Sequence, residues 1–300
     1  MPKPIIINLG GAKGYQLRQK AAEYVSANQN RTGAERGSAV EQGFGALAEI
    51  VIRANLGLPE INPDDHPVGY DLILRSGIKV DVKCRGGKRP FEEAYDSDDG
   101  VPREAKHNFF ARQVHDKNLD ADIYVMTHLR TPSVRTLPGK PKQRNWMLYV
   151  CGWVSKERAL REGVYLPRGS LTEQGRSWFT YRGQEVEFYH HNLNALTTIE
   201  TLHEITPGLV EQDRRRIGDL NLTKADAVRI GRDLVGMGIL TQNHLKELQS
   251  SIGVDKPIKP ILHPNQYIHL LEWLAKRGTI TCEQIEKARE TLKQEHFTGI

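Results

Sequence analysis

Cysteine is scarce in this 300-residue chain. Its three cysteines, Cys84, Cys151 and Cys282, stand far apart and form no CxxC pair. That spacing argues against a disulfide framework and a zinc knuckle, and it fits a reducing compartment. Long hydrophobic runs are also missing. The opening "MPKPIIINLGG" carries too short an apolar stretch for a signal peptide, and no later run approaches membrane-spanning length. A cytoplasmic protein without a membrane partner is the expectation. Strong charge of one sign is absent too: the net charge is +5 and the pI about 9.0, compatible with nucleic acid without requiring it. With 38% hydrophobic and 26% charged residues, the chain belongs with globular rather than disordered sequences.

The chain has two compositional halves. "YQLRQKAAEYVSA" and "AVEQGFGALAEIVIRANLG" read as helices, the second stopped by Gly57. Strands are expected at Tyr70–Arg75 and Lys79–Cys84, then a helix over "AKHNFFARQVHDKN", then strands "ADIYVMTHL" and "NWMLYVCGWV". "SWFTYRG" and "EVEFYHHNL" suggest a closing hairpin. From about Leu202 the strand signals vanish. We therefore expect an α/β domain over residues 1–200, a mixed sheet flanked by helices, and an all-α domain over residues 201–300. Residues 229–249 and 269–289 align at an offset of 40, with Gly238 on Gly278 and Thr241 on Thr281. The tail is thus a duplicated helical hairpin, suited to DNA binding or oligomerisation, a homodimer included.

One stretch raises a chemical question. "GYDLILRSGIKVDVKCR" places Asp71, Asp81 and Lys83 among apolar strand residues. Carboxylates are kept out of such strands unless they are paired or bind metal. Alternation puts Asp81 and Lys83 on one face and Val80, Val82 and Cys84 on the other. A hairpin closed by Ser76-Gly77-Ile78 would set Leu72 opposite Val82, Leu74 opposite Val80 and Asp71 opposite Lys83. Two carboxylates and a backbone carbonyl can hold Mg²⁺, and a nearby lysine can stabilise a phosphodiester transition state. The same residues also make a salt-bridged hairpin. A third acid is offered by Glu49, the one charged residue in "FGALAEIVI". It needs a cation or a metal there, and Arg53 four residues on is an alternative partner. Glu41 competes for the role from about two turns earlier.

Glu49, then "GYD" with Asp71, then "VDVK" with Asp81 and Lys83, resembles the PD-(D/E)XK nuclease superfamily, which includes restriction endonucleases, Holliday-junction resolvases and phage-type exonucleases. The resemblance covers roughly residues 38–155. Tyr70 stands where the motif has proline. The resemblance implies a restriction-endonuclease-like core and Mg²⁺-dependent DNA cleavage, with Mn²⁺ able to substitute. It implies that Glu49, Asp71, Asp81 and the Val82 carbonyl bind the metal, that Lys83 is the active lysine, and that Gln113 on the following helix contacts water or phosphate.

Two basic loops, "CRGGKRP" and "HLRTPSVRTLPGKPKQR", together with Arg112, supply candidate phosphate contacts: Arg85, Lys88, Arg89, Arg130, Lys140, Lys142 and Arg144. His107 and His115 are eight apart with no cysteine nearby in sequence, so zinc is not expected there. The expected function is a Mg²⁺-dependent deoxyribonuclease, endonuclease rather than exonuclease. The alternative is an inactive nucleic-acid-binding or assembly protein that kept the fold.

Overall fold

A computed structural model of the chain describes residues 2–27, 38–61, 69–87, 106–110, 120–132, 145–166, 171–174, 177–180, 185–218, 224–251 and 264–296. After strand β1 (Ile5–Asn8) come helices α1 (Ala12–Ala27) and α2 (Ala39–Leu56). Ser38 and Glu41 cap α2 reciprocally, and Gly57 ends it with a left-handed φ of 64°. The apolar positions of α2 run round most of the helix, so it buries Phe44, Leu47, Ala48, Val51 and Ile52.

Strands β2 (Leu72–Ile73), β3 (Lys79–Gly87), β5 (Ile123–Arg130) and β6 (Met147–Ser155) join β1 in a mixed five-stranded sheet. The order is β1-β6-β5-β3-β2, with β3 and β5 parallel and the other neighbours antiparallel. One face packs on α1 and α2 through Val80, Val82, Val125, Leu148 and Val150. The other face meets a second sheet, β4 (Lys106–Phe110), β10 (Glu185–Tyr189) and β7 (Val164–Leu166), through Tyr124, Met126, Tyr149, Cys151, Val186 and Phe188. The domain is therefore helix, sheet and sheet in three layers. Strands β8 (Leu171–Gln174) and β9 (Ser177–Thr180) pair only with each other among the described residues.

Three expectations are corrected. Residues 106–110 are strand, not helix, because they pair along the whole of β10, and tertiary pairing overrides local propensity. The strand "EVEFY" pairs with β4 and β7 rather than with "SWFT", whose partner is β8. The β2–β3 hairpin has a different register: Leu72 lies opposite Val80 and Ile73 opposite Lys79. Its three turn residues are Arg75-Ser76-Gly77, closed by the Leu74 amide on the Ile78 carbonyl (2.9 Å), with Gly77 at φ 84°. Moving the turn by one residue moves the register by two. The faces are therefore kept, but Leu72–Val82, Leu74–Val80 and Asp71–Lys83 are not opposed.

Helix α3 (Lys156–Glu162) follows β6 directly. Beyond β10, 3-10 turns at His190–Asn192 and Glu200–Glu204 lead to α4 (Pro207–Arg215). Leu196, Leu202, Ile205 and Val210 all join the core under the main sheet. The tail forms α5 (Lys224–Gly236), α6 (Gln242–Ser251), α7 (Pro264–Lys276) and α8 (Cys282–His296). The offset of 40 is realised structurally. Gly238 and Gly278 take left-handed φ of 68° and 76°. The Thr241 and Thr281 hydroxyls each accept from the amide three residues on, at 3.3 Å. The hairpins share one core containing Leu234, Leu248, Leu270 and Leu274. No described helix is long and apolar enough to cross a membrane.

Candidate active site

The two-residue length of β2 shapes the sheet edge. Where β2 stops, the Asp71 carboxylate takes over and accepts the Val82 amide at 2.6 Å. A strand residue directs its amide and carbonyl to the same side, so the Val82 carbonyl also faces this edge. The neighbouring Lys83 carbonyl faces β5, where it accepts the Thr127 hydroxyl at 2.9 Å. The β2–β3 register, extended by one step, sets Asp71 across from Asp81. The Lys83 ammonium hydrogen-bonds the Asp81 carboxylate and lies 5.5 Å from the centre of the Tyr124 ring. Both side chains are largely buried, 12% exposed for Lys83 and 14% for Asp81.

Helix α2 brings Glu49 to the same edge from the opposite layer. The apolar surface of the helix forces Glu49 inward, and Arg53 one turn on donates to it at 2.7 Å. Arg53 also donates to the Asp71 and Pro59 carbonyls, tying helix to hairpin. Burial pushes the Glu49 carboxyl up to about 7; Arg53 pulls against that rise and Asp81 adds to it. Burial, then repulsion from Asp81 and Glu49, raises Asp71 well above the ordinary carboxylate range, against Lys83 and the Val82 amide. Fully ionised, three carboxylates face two cations here. The donors are oxygens, the type a hard divalent cation takes, and the cluster is short of positive charge, but Glu49, Asp71 and Asp81 do not bring their ligand atoms within 4.8 Å of one another. Glu41 is exposed and engaged in the α2 cap, away from this cluster.

Among the phosphate-contact candidates, Arg85 and Arg130 lie towards the far ends of the parallel pair β3/β5, where Arg85 is opposite His128 and Arg130 opposite Gly87. Arg85 is four residues beyond Asp81, about 13 Å along the strand. Lys88, Arg89, Arg112, Gln113, Lys140, Lys142 and Arg144 fall outside the described residues.

Sequence reading missed two groupings. Arg53 is the hub between Glu49 and Asp71, where it was expected only as a partner for Glu49. His107, Cys151 and His190 converge so that their ligand atoms lie within 4.8 Å of one another, the one such group of His, Cys, Asp or Glu among the described residues. The signals for it were faint: a glycine after Cys151 inside a strand pattern, which marks a bulge, and a tandem histidine at 190–191. No family model, no curated protein and no solved structure matches the chain.

Proposed function

We propose that the chain is a Mg²⁺-dependent deoxyribonuclease with a restriction-endonuclease-like core, acting as an endonuclease. The observation that carries this reading is the meeting of Asp71, Asp81, Glu49 and Lys83 at one sheet edge, with two carboxyls held above their ordinary range. Clustered acids whose carboxyls are pushed up by burial and by one another are candidates for a functional site.

Asp71, Asp81 and the Val82 carbonyl would hold the metal, with Glu49 completing the set as Arg53 yields its carboxylate. When bound, Mg²⁺ supplies a water of lowered pKa and neutralises charge on the phosphate. Lys83, set by Asp81 and Tyr124, places an ammonium where negative charge grows on the phosphoryl oxygens. Arg85 and Arg130 track the phosphate backbone and leave the sequence unread. DNA is the partner, and a homodimer through the helical tail fits a double-strand cut.

One observation favours a second reading, an inactive nucleic-acid-binding or assembly protein. Arg53 already satisfies Glu49 and Lys83 already satisfies Asp81. The test is incubation of purified protein with plasmid and linear DNA, with Mg²⁺ and with EDTA. Plasmid nicking or linearisation in Mg²⁺ alone supports the nuclease. DNA binding in Mg²⁺ without cleavage of either DNA supports the second reading.

A further inference from the structure

We propose that His107, Cys151 and His190 form a zinc site that staples the two sheets together. The site is independent of the acidic edge and of any nuclease activity. His107 comes from β4, Cys151 from β6 and His190 from the turn after β10. All three are buried, at 2%, 1% and 1% exposure. Imidazole with thiolate suits Zn²⁺, and no carboxylate completes the group to favour a harder ion.

The geometry supports the assignment at three points. His107 Nε2 and His190 Nδ1 lie 3.3 Å apart. A tetrahedral zinc with bonds of about 2.0–2.1 Å to nitrogen has nitrogen–nitrogen edges of about 3.3–3.4 Å. The opposite nitrogen of His190, Nε2, lies 2.7 Å from the Pro2 carbonyl. That is the partner a zinc-ligating histidine uses to fix its tautomer and ring orientation. Finally, β6 carries an irregularity at the cysteine: Met126 pairs with Gly152 and Thr127 with Val150, which leaves Cys151 as the extra residue. Such a bulge re-aims a side chain and persists at functional places. Gly152, at φ 141°, makes it possible, since a Cβ there would lie 2.4 Å from the Asn194 carbonyl oxygen.

The chemistry balances simply. Cys151 gives its thiol proton to solvent and binds as thiolate, both imidazoles bind as neutral rings, and no electron is transferred. Burial of all three ligands makes the metal a structural clamp between layers.

The test uses the full-length chain, stripped with a chelator and titrated with Zn²⁺ or with Co²⁺ as a spectroscopic probe. About one zinc per chain should survive desalting, the melting temperature should rise, and Co²⁺ should give a thiolate-to-cobalt absorption band. Cys151→Ala should remove that band. A wild-type chain that is folded by circular dichroism, yet gives no thiolate band and no shift with zinc, overturns the site. So does a band that persists in Cys151→Ala. Should that variant fail to fold, X-ray absorption on the wild-type zinc form decides. A shell containing one sulfur and at least two nitrogens supports the assignment, and one without sulfur overturns it.

Discussion

Two clusters of buried acids beside cations among the described residues are built differently. Under α3, Asp213 accepts from Arg158 at 2.8 Å, from the Asn194 amide group at 2.7 Å and from the Ser155 backbone amide at 2.8 Å. Glu162 accepts from Arg158 and from the Gly218 amide. Burial pushes the Asp213 carboxyl up, but these partners more than offset it and hold the group below its ordinary range. At the β2–β3 edge, Asp71 has the Val82 amide and two carboxylate neighbours, and its carboxyl is held high. The first cluster gives each acid a cation and a backbone amide and so acts as a structural lock joining α3 to α4, with Arg158 Nη2 its one guanidinium nitrogen lacking a hydrogen bond. The second is short of positive charge, as the proposed cation site would require.

Breaking the cluster under α3 should have the largest effect on stability. Asp213→Ala leaves the fully buried Arg158 guanidinium with Glu162 as its one remaining carboxylate partner among the described residues, and removing one partner of a buried pair costs about 3–5 kcal/mol. Urea unfolding measures it. A loss under about 1 kcal/mol would show that the lock is not one. Lys83→Ala should leave DNA affinity nearly unchanged but slow single-turnover cleavage by about 10²–10³-fold. Cleavage at the wild-type rate would turn this edge into a salt-bridged hairpin. Gly218→Ala sharpens the contrast from the backbone side. Its Cβ would sit 2.5 Å from Glu162 Oε2, 2.6 Å from Arg158 Nη2 and 2.8 Å from Asn192 Oδ1. Glu162 Oε2 is held by Arg158 Nε and all three residues are buried, so overpacking should cost about 1–3 kcal/mol with no change in cleavage by the folded protein.

The smallest effect lies in pH. Asp213 is depressed, so its contribution to stability is present above 3.8 and is lost as pH falls through its folded value. Glu185 in β10 has the opposite sign. Burial lifts its carboxyl to about 7 from 4.5, against the Asn108 side chain and with Glu187 adding to the rise. Its contribution is complete below 4.5 and is lost as pH rises through about 7. Glu185→Gln should therefore flatten the decline in melting temperature across that window. An unchanged pH profile would mean that Glu185 does not govern it.

Much of this was legible in the sequence because periodicity reports burial. The apolar wrap of α2, the alternation of β3 and the offset-40 hairpins all appear where their patterns place them. Parity arguments gave the correct faces for the β2–β3 hairpin, while the register depended on which of two neighbouring tripeptides turns, and Gly77 belongs to both. The stretch "AKHNFF" carries no strong strand residue apart from its phenylalanines, and its conformation is set by β10, about 80 residues away. The acids at the edge were found because a charge in an apolar run is conspicuous. The histidines and Cys151 were not, because each is an ordinary buried residue along the chain and only the packing of two sheets unites them.

The replacement of β2 by a carboxylate has a further consequence, for self-association. An edge strand with free amides invites another chain to pair with it. Here Asp71 occupies the Val82 amide, and Asp71 and Asp81 line the place an incoming strand would take. The same residues that would draw a divalent cation to this border thereby blunt it as an edge for intermolecular β-pairing. The opposite border, β1 with Ile6 at 53% exposure, carries no such guard among the described residues.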